Sequence, residues 1–139
     1  MDNYSSSGAS GSKDVLASRL QRLRRVLGFS KQRVAAIRRD HDAFWHVPKA
    51  QAPRLTPELS DKVESFKAKI ELAQRLIVAG EKIVAEAERL PPAAALVSTG
   101  RYDPEILGHT VRELDGLITG VQAAARSFQA RALELPPPP

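Results

Sequence analysis

Three histidines, His41, His46 and His109, are the side chains here best suited to bind a metal ion or shuttle a proton, and their spacing serves neither task. His41 and His46 stand five residues apart rather than four. Neither has a glutamate at the spacing of a zinc-protease helix, so no metal site is expected. Asp40 and Asp42 flank His41, but adjacent residues on a helix diverge in direction and do not form a facial triad with it. Paired carboxylates such as Glu86 and Glu88 read as solvated charge. There is no cysteine to act as nucleophile, thiolate ligand or disulfide partner. The sequence also lacks a glycine-rich phosphate loop following a strand and a Gly-x-Ser-x-Gly elbow. It therefore predicts no catalytic residues, no cofactor and no metal.

The polar feature that remains is cationic. Arg24, Lys31 and Arg38 recur every seven residues, with Arg25 and Arg39 on the adjoining line, so five cations share a helix face about 21 Å long at 1.5 Å per residue. Residues 13–46 carry nine Lys/Arg against Asp14, Asp40 and Asp42, whereas residues 47–139 hold equal numbers of basic and acidic groups. The formal charge of +5 is thus concentrated in the first helix. Basic residues beside a packing seam ordinarily pair with acids on neighbouring helices, here Glu81, Glu88 or Asp115, or face water. An acidic protein partner is the next reading, and nucleic acid or an anionic membrane comes after it. Aromatic residues amount to 5% of the chain and are mostly assigned to the core, so any nucleic-acid contact would be to phosphates.

The element that positions these cations is a helix defined by a heptad rhythm. Leu16, Leu20, Leu23, Leu27, Ser30, Val34, Ile37, His41 and Phe44 fall at intervals of four and three. The rhythm keeps its phase through Gly28, which favours one continuous helix over a break. Ser12 is the expected N-cap and His46-Val47-Pro48 the end, because a residue before proline is pushed out of helical dihedrals. Thr56-Pro57-Glu58 and Asp103-Pro104-Glu105 each supply a cap, a proline at the first helical position and an acid in the first turn. A four-three rhythm follows each of them. A short helical turn is expected around residues 94–97.

The fold class is therefore all-α: an elongated antiparallel three-helix bundle with helices at about 13–46, 57–90 and 104–135. Residues 1–12 form a Ser/Gly-rich tail expected to be disordered, 13–135 the bundle domain, and 136–139 a proline-rich end or linker. Aligning the helix centres puts Leu23 beside Gly80 and Leu114, and Ile37 beside Phe66 and Phe128. It predicts an aromatic plug of Phe44, Phe66 and Phe128 with Trp45 at its rim, and a thin waist around Ser30, Ala73 and Val121. Leu76, Ile83 and Leu90 form a flanking apolar row, expected with the waist to receive a partner helix.

The architecture resembles that of spectrin-type repeats and chaperone-cofactor bundles, without the signature residues of either, and fold alone does not assign function. The expected function is a non-enzymatic protein-protein interaction or scaffold module within a larger assembly, its partner helical or acidic. The alternative is a basic adaptor for a polyanion, bound through Arg24, Arg25, Lys31, Arg38 and Arg39. Heptad seams serve self-association as well as intramolecular packing, so both remain open. With no apolar run approaching ~20 residues and no signal segment, the sequence predicts a soluble intracellular protein, although a lack of cysteine suits export as well.

Overall fold

The computed structural model describes the backbone over residues 3–45 and 56–134, and side chains at 11, 13–43 and 56–126. Four helices follow one another: α1 (Asn3–Trp45), α2 (Pro57–Ala87), α3 (Pro92–Thr99) and α4 (Pro104–Glu134), with no strand among the described residues. The fold is all-α, built on three long helices, the last two of which are joined through the short α3.

Helix starts follow the capping chemistry. Thr56 Oγ1 accepts from the Leu59 amide at 3.1 Å, and Asp103 Oδ1 accepts from the Glu105 amide at 2.9 Å, each satisfying an amide that a helix start leaves without a partner. α1 begins at Asn3, ten residues before the start expected at Lys13. No proline interrupts this stretch, and extending a formed helix costs far less than nucleating one. α1 also runs unbroken through Gly28. α2 ends at Ala87 rather than at residue 90, where Arg89 N–H turns back to Glu86 O at 3.0 Å ahead of Pro91. The expected turn at 94–97 is an eight-residue helix.

The chain divides into two compact units, Met1–Gln32 with Gln74–His109, and Arg33–Ala73 with Thr110–Pro139. In the first, the buried α1 seam of Leu16, Leu20, Leu23 and Leu27 is met by Ile77, Val84 and Ala87 of α2, Ala95 and Thr99 of α3, Tyr102, and Leu107 of α4. Lys31 pairs with Glu81 and Arg24 with Glu88, so α1 and α2 run antiparallel here. An ideal Cβ on Gly80 would lie 2.6 Å from Leu27 Cδ2, which makes Leu27 its close neighbour in α1 and corrects the expected pairing with Leu23. Side-chain fit sets the register, and helix midpoints have no energetic say in it.

α4 is shifted as well. Arg22 meets Glu105 at 3.2 Å, which sets the start of α4 beside residue 22 and not beside the first seam leucines. α3 precedes α4 and lies against α1 at Arg19, whose Nη1 donates to Leu96 O at 3.0 Å.

In the second unit, Val34, Ile37 and His41 of α1 are buried with Leu59, Val63, Phe66 and Ala73 of α2 and Val111, Leu114, Ile118, Val121 and Ala125 of α4. Lys69 Nζ reaches Glu113 at 2.7 Å and Arg33 binds Asp115, roughly two and a half to three turns from the α4 register expected from centred helices. Phe66 is buried and His41 stacks on it, ring centroids 4.3 Å apart. The remaining plug side chains, Phe44, Trp45 and Phe128, lie outside the described side chains, as do Ser12, the connector at 46–55 and residues 135–139. Ser30, Ala73 and Val121 are each buried.

Candidate protein interaction surface

In the first unit, α1 and α2 frame an open groove of about 350 Å³. Its apolar floor is Leu27, Gly28, Val84 and Ala85, and its walls carry opposite charge. On the α1 wall Arg24 binds Glu88, and Lys31 Nζ sits 3.3 Å from Glu81 Oε2 on the α2 wall. All four side chains are about half-exposed or more, and ion pairs of this exposure contribute only ~0.2–1 kcal/mol, so they are open to exchange for other partners. A Cβ on Gly28 would meet nothing within 4 Å. The glycine thus leaves a bare stretch of helix backbone at the groove floor. Phe29, the next residue, is 67% exposed.

The five expected cations divide. Arg24 and Lys31 are tied to Glu88 and Glu81, the pairing that seam-flanking cations ordinarily make. Arg25, Arg38 and Arg39 are exposed, with no ion-pair partner among the described residues. The third acid considered for the stripe, Asp115, instead binds Arg33, whose guanidinium is held above its ordinary pKa by that hydrogen bond and by the charge behind it. In the first unit, Arg19 and Arg22 line the flank of α1 opposite Arg24 and Lys31. Read from α1 alone, an arginine one turn off a leucine seam gives the signal, but nothing in the sequence says which acid will meet it.

Leu76, Ile83 and Leu90 are half-buried. The first is engaged from within the chain: Tyr102, between α3 and α4, donates its hydroxyl proton to Leu76 O at 2.7 Å. Its ring lies on Gly80, with Cζ 2.9 Å from an ideal Cβ there. Burial pushes the phenol pKa up to about 12, with Asp103 adding to the shift. The heptad rhythm did not single out Tyr102, because a tyrosine in a connector has no periodicity to betray it.

In the second unit, burial holds the His41 imidazole below its ordinary pKa; Asp42 opposes that shift and Lys67 reinforces it. This is a core histidine rather than an exposed ligand. No group of three or more His, Asp or Glu that could hold a metal ion occurs among the described residues, and no described helix is long and apolar enough to cross a membrane. Comparison with protein-family models, curated proteins and solved structures finds no match to this chain.

Proposed function

We propose that the chain is a non-enzymatic helical interaction or scaffold module that docks a helical segment of another protein as part of a larger assembly. The observation that supports this reading is the α1–α2 groove, with its apolar floor open at Gly28 and its walls basic on one side and acidic on the other. A partner helix suited to it carries a narrow apolar stripe, with acids on the side toward Arg24 and Lys31 and bases on the side toward Glu81 and Glu88. An intracellular setting belongs to the same proposal.

The test fills the groove. Gly28→Phe is expected to keep the helix content of the native chain and to lose a partner captured quantitatively by the wild type. Ala93→Phe, at an exposed position on α3, is the control and is expected to keep that partner. Equal capture by the wild type and both variants would exclude the groove.

The adaptor reading is supported by Arg25, Arg38 and Arg39 rather than by all five cations. Retention on a polyanionic resin that is lost in the triple alanine variant, and that falls steeply with salt, would favour it; retention unchanged by salt would remove it.

A further inference from the structure

In the first unit α3 is weakly held. Only Ala95 and Thr99 of its eight residues are buried, both small, while Val97 is 64% exposed. Its start at Pro91-Pro92 has no side-chain cap hydrogen bond. Among the described residues, two side chains tie α3 and the joint after it to the long helices by hydrogen bonds. Arg19 Nη1 donates to Leu96 O at 3.0 Å and to Thr99 Oγ1 at 3.4 Å, and Tyr102 reaches across to α2.

Tyr102 stands out because its target is not a helix end. Leu76 lies inside α2, where each carbonyl already has an amide partner within the helix, so the hydroxyl adds a second bond to that oxygen and fastens the joint to the middle of α2. Its ring fits because Gly80 has no side chain, and Leu27 closes the same notch from α1. Segments with few buried apolar contacts open locally at a fraction of the global unfolding free energy.

We propose that α3 and the joint that follows it form a latch, with Tyr102 as its catch, whose local release uncovers Gly80 and the Leu76 carbonyl on α2 while the α1–α2 seam, Leu27 included, stays packed. The latch is independent of whatever the outer groove binds. It makes access to α2 at Gly80 conditional on one hydrogen bond and one ring.

Native-state amide exchange followed by NMR on the full chain tests it. The reporters are the Gly100 and Tyr102 amides, which donate to Leu96 O at 3.0 Å and Thr99 O at 3.2 Å, with the Leu23 and Leu27 amides of α1 as the seam reference. In the wild type, exchange at 100 and 102 is expected to be faster than at 23 and 27 and nearly independent of low denaturant, while exchange at 23 and 27 rises with it. Tyr102→Phe keeps the ring and removes the hydroxyl, and is expected to speed exchange at 100 and 102 about 5- to 10-fold; exchange at 23 and 27 rises by no more than the same factor, because global unfolding breaks the bond too, and the denaturant slopes of both pairs stay as in the wild type. Exchange at 100 and 102 that follows 23 and 27 with the same denaturant slope would overturn the latch, as would an unchanged rate in Tyr102→Phe. If that variant does not fold, the wild-type denaturant slopes decide alone.

Discussion

Two glycines inside long helices, Gly28 in α1 and Gly80 in α2, should respond oppositely to the same substitution. Helix propensity alone predicts that Gly→Ala stabilises each by up to about 1 kcal/mol, through lower conformational entropy in the unfolded chain. At Gly28 nothing opposes this, because the new methyl group would have no neighbour within 4 Å. At Gly80 the same methyl group would lie 2.6 Å from Leu27 Cδ2 and 2.9 Å from Tyr102 Cζ. Leu27 is buried and has little room to turn, and the Tyr102 ring can withdraw only by stretching its 2.7 Å bond to Leu76 O. Overpacking of this kind costs ~1–3 kcal/mol, and a lost hydrogen bond adds ~1 kcal/mol. The propensity gain offsets roughly 1 kcal/mol of that, which leaves Gly80→Ala destabilised by about 1–3 kcal/mol.

Urea denaturation followed by circular dichroism measures both changes. The midpoint is expected to rise for Gly28→Ala and fall for Gly80→Ala, with the slope unchanged. Combining Gly80→Ala with Leu27→Ala should recover part of the loss, because the second change vacates the space the methyl group needs, and that non-additivity is the signature of direct contact. Equal stabilisation by both single substitutions would refute the packing described at Gly80. A purely additive double variant would refute the contact with Leu27.

Two pH effects follow from buried groups. The His41 imidazole takes up a proton less readily in the folded chain than in the unfolded one, so the unfolded state binds more protons near pH 6.5 and stability should fall as the pH drops through that value. Denaturation midpoints at pH 7.5 and 5.5 should show this fall, and His41→Leu should flatten it; an equal fall in the variant would assign the effect elsewhere. Tyr102 keeps its proton up to about pH 12 in the fold, against about 10 for a free phenol, so stability should decline between those values as the unfolded chain ionises first. The phenolate absorbance of Tyr102, taken as the difference from Tyr102→Phe, should rise late in that range, and a rise centred near pH 10 would mean that the ring is exposed.

Much of this fold is written in local chemistry. Thr56 and Asp103 announce their helices because each supplies the oxygen that a helix start lacks, a requirement met within three residues and therefore visible in sequence. The seam is visible for the same reason, since every one of its α1 positions from Leu16 to His41 is buried. What the rhythm could not reveal is which layer meets which. Leu27 rather than Leu23 packs against Gly80, where Tyr102 shares the notch, and α4 starts beside Arg22 while α3 lies against Arg19. Both are long-range fits with no local signature.

The cations show the same limit. That seam-flanking arginines and lysines pair with acids is legible, and Arg24 and Lys31 do so with Glu88 and Glu81. The capture of Asp115 by Arg33 instead depends on a register that no spacing encodes. The start of α1 at Asn3 shows propagation of a helix overriding poor local propensity.

The most direct test of the account asks whether α1 and α2 close their seam within one molecule. The native chain has no cysteine, so Lys31→Cys with Glu81→Cys places a unique thiol pair at positions that face each other across the groove. Equal amounts of nitrogen-14 and nitrogen-15 protein are mixed, unfolded and refolded together, then treated with a short bifunctional maleimide. Cross-links are expected between residues 31 and 81 of the same isotope only, on a species of single-chain mass. Peptides joining light and heavy chains in the statistical proportion would mean that the seams are shared between molecules, and the groove described above would then belong to a different assembly.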